Sequence, residues 1–460
     1  MKNSNEPSAL FDFYGKPKYS QVFPLALQHV VAAIVGCVTP AIIVSGAAGL
    51  SAKDSVFLIQ AALVVSGLST LLQLFPIGNK NGFHIGAALP MIMGISFAYV
   101  PSMQAIAGHE SGNGVPMILG AQIVGGIVAI LVGFTITKIR KLFPPLIAGT
   151  VVFTIGLSLY PTAVNYMAGG VGKSNYGSWQ NWAVAFITLA VVIGLNHFTK
   201  GILKLSSILV GIIVGYIVAL CFGLIDFSSV ATASYFQFPT PFHFGIVFEP
   251  SSCIAIGLLF AINSIQAIGD FSATTTGSME RMPKDSELKG GIIGYGVSNI
   301  VGAILGGLPT ATYSQNVGIV VTTKVINRIV FGLAAVILLA AGLVPKFSAI
   351  LTTIPQCVLG GATISVFASI AMTGIKLVMT EDMNYRNTSI VGLSVALGMG
   401  VTQAAGCLDS FPAWVTTIFG KSPVVITTIA AILLNTILPK TVCSDSKVPL
   451  AQNFSTTSTE

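Results

Sequence analysis

Gly306-Gly307-Leu308-Pro309-Thr310-Ala311-Thr312-Tyr313-Ser314-Gln315-Asn316-Val317-Gly318 breaks a chain that otherwise consists mostly of long apolar runs. Its glycines, its proline and its row of hydroxyl and amide side chains do not read as a full apolar helix. A second stretch of the same character lies at 82–100, with Gly82, Gly86, Pro90 and Gly94 beside the polar His84 and Ser96. Lipid cannot satisfy backbone N–H and C=O groups, so broken backbone at membrane depth must line a cavity or be covered by protein. Gly and Pro are also common in ordinary membrane helices. What argues for more is that the two interrupted stretches hold matching places in the two halves of the chain, a pointer to a binding site at the membrane midplane.

The surrounding composition supports a membrane setting. Of 460 residues 53% are apolar and 8% charged, against about 25% charged in a soluble domain. This excludes an ordinary soluble enzyme, a nucleic-acid binder and a disordered chain. The predicted class is an all-α polytopic membrane protein. At about 20 residues per crossing there is room for roughly a dozen or more spans, and fourteen candidates are found. They are 23–45, 55–75, 82–100, 115–136, 144–160, 179–196 and 205–224, then 251–268, 290–308, 313–321, 329–344, 350–375, 389–405 and 422–438. The interrupted stretches are spans 3 and 10. Two tandem units of seven spans, an odd number, must lie in opposite orientations, so the expected architecture is a pair of inverted seven-span repeats.

Charge tests this count separately. With a cytoplasmic N-terminus, only Lys53, Lys173, Lys346 and Lys421 of the 22 basic residues fall in outer loops, and all four arginines, Arg140, Arg281, Arg328 and Arg386, face inside. That is the asymmetry of the positive-inside rule, and it accounts for the net charge of +7 without a nucleic-acid partner. The polar segments 1–22 and 439–460 are both expected in the cytoplasm, and 1–22 lacks the form of a cleavable signal, so the first apolar run is expected to stay as a span. None of the six cysteines pairs with another at metal-ligand spacing.

A few polar residues lie where apolar ones are expected. Asp270 ends the apolar run from Cys253 and is either a helix-end cap near the interface or a functional intramembrane acid. Asn263, Gln266 and Asp270 share one helix face by their spacing. They read either as cavity-facing groups or as interhelical hydrogen-bonding glue. His29, after Gln28 in the first span, is a packing residue or part of a proton path. Phe97, beside Ser96 in span 3, offers a flat face to a planar ligand or simply packs. The spans contain no nucleophile with its base and no metal-ligand cluster, so neither enzymatic activity, nor a metal, nor a cofactor is expected.

Gln315-Asn316-Val317-Gly318-Ile319-Val320-Val321-Thr322-Thr323-Lys324 resembles the signature of the nucleobase–ascorbate transporters (nucleobase:cation symporter family 2). All five fixed positions match: Gln315, Asn316, Gly318, Thr323 and Lys324. Gln28-His29, Ser96-Phe97-Ala98, Ala267-Ile268-Gly269-Asp270, Thr352-Thr353-Ile354-Pro355 and Val358-Leu359-Gly360-Gly361 add to a likeness that runs from Phe23 to about Leu438.

The resemblance implies a core domain (23–136 and 251–344) and a gate domain (144–224 and 350–438), with short strands of spans 3 and 10 meeting beside the substrate. It further implies a homodimer in the cell membrane, elevator-like motion and secondary active uptake of nucleobases, usually coupled to protons. It assigns Gln315 to reading the base and Asn316 to the amide beside it. Phe97 and Tyr313 become neighbours of the ring, and His29 and Asp270 take positions that support the substrate-binding groups and couple transport to the driving ion. Two departures stand out: Gln266 replaces a substrate-binding Glu, and Tyr295 replaces an Asp common in span 9. A carboxylate only accepts hydrogen bonds, whereas a glutamine amide both donates and accepts, so two glutamines favour a neutral purine such as xanthine or uric acid, with guanine or hypoxanthine close behind. The expected pose places the base between Phe97 and the strand of span 10. Gln266 and Gln315 lie at its edge, backbone N–H groups near Ser96 and Ser314 assist, and Asp270 is tied to His29 and Asn316. A sodium-coupled carrier, a uracil permease of the family and an anion transporter of the same architecture remain the alternatives.

Overall fold

The computed structural model describes residues 9–79, 84–108, 113–136, 144–227, 230–231, 233–404, 406–412, 415–416, 419–420 and 422–439. Gly82, Arg140, Lys421, residues 1–8 of the expected N-terminal tail and residues 440–460 of the C-terminal one lie outside the described residues. The chain is mostly helical. In order it forms α1 (Tyr19–Ala47), α2 (Ala52–Leu74), the strands β1 (Ile77–Gly78), β2 (His84–Ile85) and β3 (Met93–Ile95), a 3₁₀ turn (Phe97–Tyr99), and helices α3 (Val100–Ala107), α4 (Gly114–Phe134), α5 (Pro145–Met167), α6 (Trp179–Phe198) and α7 (Ser207–Cys221). The second half forms α8 (Pro250–Ser278), α9 (Asp285–Ile304), β4 (Thr310–Thr312), α10 (Ser314–Thr323), α11 (Arg328–Gly342), α12 (Pro345–Thr352), α13 (Gln356–Val378), α14 (Tyr385–Gln403) and α15 (Pro423–Ile437).

Among the described residues, seven helices, α1, α2, α4, α5, α6, α8 and α13, are long and apolar enough to cross a membrane, and α11 with α12 forms an eighth candidate bent by 80°. Large apolar side chains such as Phe134, Phe186, Phe198 and Ile217 stand exposed on the outer helix faces, which suits lipid rather than water. Helix starts are built from local chemistry: the Ser51 hydroxyl accepts the Asp54 N–H at 3.2 Å, and the Glu249 carboxylate accepts the Ser251 and Ser252 N–H groups at 3.0 and 2.6 Å. At the start of α9, the Glu287 carboxylate accepts both arms of the guanidinium of Arg281, which precedes the helix.

Hydrophobicity alone does not drive helices together in lipid, so close backbone approach matters. α5 and α13 meet at Gly149, Gly156 and Gly374. A Cβ at Gly374 would fall 2.2 Å from the Phe153 nitrogen. α4 and α9 meet likewise, where Cβ atoms at Gly126 and Gly296 would each strike the other's carbonyl, at 2.8 and 2.5 Å.

Between these helices the two interrupted stretches pair with each other. β3 and β4 run antiparallel, with Met93 opposite Thr312, Gly94 opposite Ala311 and Ile95 opposite Thr310. Buried side chains satisfy the backbone that the ladder leaves over. Asn299 accepts the Thr310 N–H at 2.8 Å and donates to the Thr310 carbonyl. The Thr70 hydroxyl accepts the Met93 N–H at 2.9 Å. Gln73 accepts the Ala87 N–H and donates to the Gly291 carbonyl. The small hairpin of β1 and β2 has no counterpart among the expected spans. Another departure concerns α8, which continues eight residues past Asp270 to Ser278. Asp270 is therefore inside a helix, and the helix-end cap reading is withdrawn.

Candidate functional site

Each strand of the β3–β4 pair runs straight into a short helix. β3 leads through Ser96 into the Phe97–Tyr99 turn and α3, and β4 leads through Tyr313 into α10. The first turn of a helix leaves backbone N–H groups without intrahelical acceptors and carries the positive end of the dipole. Two such starts converge here on a cavity of about 240 Å³.

Ser96, Phe97, Gln266, Tyr313, Ser314 and Gln315, the six residues assigned to substrate, all line it. α8 supplies Gln266, which is half-buried, while Gln315 is exposed to the cavity. Among the described residues, no hydrogen bond occupies either carboxamide. Phe97 is 7% exposed, and its ring meets Phe367 of α13 edge-on at 5.3 Å. Tyr313 contributes its ring only. Its hydroxyl donates to the Ile95 carbonyl at 2.9 Å, and the side chain lies so close to Gly36 and Gly94 that a Cβ at either would come within 3 Å of one of its atoms.

The coupling candidates divide into two separate pairs. Asp270 accepts hydrogen bonds from the hydroxyls of Ser314, at 2.8 Å, and Thr312. His29 is bonded to Asn316 instead: Asn316 Nδ2 lies 3.1 Å from both His29 Nδ1 and the His29 carbonyl, and the His29 ring packs on Phe331 at 4.5 Å. The expected tie of Asp270 to His29 and Asn316 is thus corrected, because Ser314 and Thr312 stand nearer the acid on the strand–helix corner. Of the backbone N–H groups near Ser96, that of Ser96 itself donates to the Pro309 carbonyl at 3.0 Å and that of Ala98 to the Ser96 hydroxyl at 3.2 Å.

Tyr295 lies away from the cavity. Its hydroxyl bonds to that of Tyr99, and its ring stacks on Phe260 at 5.3 Å. Of the remaining signature residues, Lys324 ends α10 in the left-handed region (φ 58°) and its ammonium reaches the Gly277 carbonyl. Thr323 bonds back to the Ile319 carbonyl at 2.8 Å. Nothing lies within 4 Å of a Cβ built at Gly318, and no contact explains that glycine.

The far wall was missed from the sequence. Val366, Ser369, Ile370 and Thr373 of α13 close the cavity opposite α8, with Val152 and Ile155 of α5 beside them. The hydroxyls of Ser369 and Thr373 donate to carbonyls one turn back, at 3.0 and 2.8 Å. A signal existed in the polar positions 365, 369 and 373, which recur every four residues on one face of an apolar span.

A profile described as "Permease family" matches residues 20–406. The xanthine permease of Escherichia coli (strain K12) is 33% identical over 442 residues, covering 94% of each chain. The uric acid permease PucJ of Bacillus subtilis (strain 168) is 35% identical over 406 residues, covering 86% of this chain and 88% of its own. Among solved structures, the transmembrane domain of the cyanobacterial bicarbonate transporter BicA superposes with a TM-score of 0.57 at 16% identity, covering 91% of this chain and 98% of that one. Murine Slc26a9, an anion transporter, superposes with 0.59 at 13%, covering 93% and 70%. At those identities the structures speak for the fold alone. The paired interrupted strands, the intact signature and relatives alike over nine-tenths of their length place this multi-pass membrane protein among the nucleobase–ascorbate transporters, a family of permeases and not of enzymes.

Proposed function

We propose that the protein is a secondary active transporter that imports a purine nucleobase, with xanthine or uric acid the leading substrates and proton symport the driving reaction. The observation that carries this reading is the pair of unoccupied carboxamides, Gln266 and Gln315, on one small cavity with the Phe97 ring. A volume of about 240 Å³ sits just below the range of about 300–1,000 Å³ typical of drug-sized ligands and suits a bicyclic base. Each carboxamide both donates and accepts, matching a lactam edge with one N–H and one C=O. Relatives named for xanthine and uric acid support the purine choice. Among the described residues the lining contains no Lys or Arg, so an inorganic anion would find only neutral donors and no countercharge, and the anion alternative is the weaker.

In this reading Asp270 carries the proton. As a carboxylate it only accepts, and it holds the Thr312 and Ser314 hydroxyls. Once protonated it must donate, so one of these hydroxyls has to turn. Ser314 lies on the cavity wall beside Gln315, so the protonation state alters which donors face the base. The fourteen spans form two inverted repeats. Residues 23–136 and 251–344 make a core that moves as an elevator against a gate of 144–224 and 350–438. Two copies form a dimer in the cell membrane, with both termini in the cytoplasm. Uptake of labelled xanthine in a transport-deficient host, competed by a panel of unlabelled bases with and without a proton uncoupler, tests the proposal. Saturable, uncoupler-sensitive uptake blocked by uric acid is expected; no purine uptake above background would refute it.

A further inference from the structure

A second cavity, of about 410 Å³, opens on the outer face between α2 and α9, away from the substrate cavity. Val65, Leu68, Leu71, Leu72 and Phe75 form one side, and Val297 and Val301 the other. Its lone lining hydroxyl, Ser298, is already bonded to the Tyr295 carbonyl at 3.0 Å, so the groove presents hydrocarbon alone. From Val65 to Phe75 it follows α2 for about 15 Å at 1.5 Å per residue, which is about half of a 30 Å hydrocarbon core. It therefore has the depth of one leaflet.

The Phe75 end carries a cation. The Arg328 guanidinium sits 5.6 Å from the Phe75 ring centre and 4.8 Å from that of Tyr14, half-buried between the two. It takes part in neither ion pair found among the described residues, His243–Asp54 and Arg281–Glu287. Asp12, on the same N-terminal segment, directs one carboxylate oxygen to the Tyr14 N–H at 3.0 Å. Lys16 and Lys18 stand exposed on that segment and add to the positive field.

We propose that this groove and Arg328 together form a binding site for one anionic phospholipid. One acyl chain lies along α2 and α9, and the headgroup phosphate meets the guanidinium at the Phe75 end. Charge complementarity selects the occupant. A neutral lipid would fill the groove equally well but leave the arginine without an anion, and a soluble phosphate would satisfy the arginine but leave the groove empty.

The full chain in detergent, titrated with dioleoyl-phosphatidylglycerol or dioleoyl-phosphatidylcholine and followed by native mass spectrometry, tests this. One phosphatidylglycerol is expected to be retained about five-fold more tightly than phosphatidylcholine, the effect of a single basic residue at an anionic lipid surface. Arg328→Gln should erase that preference and Arg328→Lys should keep most of it. Val301→Trp, which fills the groove from the other helix, should weaken both lipids alike. Equal retention of the two lipids by the wild type would overturn the site, as would wild-type preference in Arg328→Gln or unchanged binding in Val301→Trp. Displacement of phosphatidylglycerol by equimolar glycerol phosphate would reduce it to a bare anion site and overturn the lipid assignment.

Discussion

The two strand–helix corners are built alike and act differently. At the first corner nearly every polar group is engaged locally: the Ser96 N–H goes to Pro309, and the Ser96 hydroxyl accepts the Ala98 N–H at 3.2 Å. What remains facing the cavity is the Phe97 ring. At the second corner three consecutive side chains go three ways, Ser314 to Asp270, Gln315 to the cavity and Asn316 to His29. One corner offers a surface and the other a junction of hydrogen bonds. Under the proposed function, shape selection and charge transfer would fall to different halves of the chain, and each half can be perturbed separately.

The largest effect should come from the junction. Asp270→Asn leaves an amide that cannot cycle a proton, so uphill accumulation of labelled xanthine should vanish while exchange across preloaded vesicles continues. An accumulation ratio equal to wild type would remove Asp270 from coupling. Next comes Gln315→Ala, which strips one carboxamide from the base's edge and leaves the base's own polar groups unpaired. Uptake kcat/KM should drop about 10²-fold, and a drop of less than about three-fold would show that the junction does not read the base. Phe97→Ala tests the surface corner. Losing one aromatic face should raise KM about ten-fold or less without altering uncoupler sensitivity, and Phe97→Tyr should stay close to wild type. A change in proton dependence in Phe97→Ala would blur the division of labour. The smallest effect is expected at the far wall. The Ser369 hydroxyl already has a backbone partner, so Ser369→Ala should shift KM by only about two-fold. A larger shift would make α13 a reader of the base as well.

Much of this was legible before any coordinates. Asp270, Gln266 and His29 are conspicuous because polar side chains are costly in apolar spans, and the Gly306–Gly318 stretch announces a broken span by composition alone. The hydrogen-bond partners were not legible. The sequence tied Asp270 to His29 and Asn316, and only the packing of the β4–α10 corner against α8 brings Thr312 and Ser314 to it instead. Asn299, Thr70 and Gln73 look like ordinary interhelical amides and hydroxyls. Their task of holding broken backbone appears only when the strand they serve is in place. Helix ends were also misjudged where polarity rises before the helix stops, as with α8, because Ser272 to Ser278 is hydroxyl-rich yet still helical. There Thr275 and Thr276 return their hydroxyls to carbonyls one turn back.

The β3–β4 ladder has a consequence for how the protein is made. Tyr313 closes onto the Ile95 carbonyl across 218 positions of chain, so the first interrupted segment leaves the ribosome long before its mate exists. Closing so distant a loop is slow relative to local helix formation. During that interval the nascent first half carries a strand with an open ladder inside the bilayer. Insertion must therefore shelter that edge, with the Thr70 hydroxyl on the Met93 N–H as a provisional cap, until the second half arrives to complete the pocket.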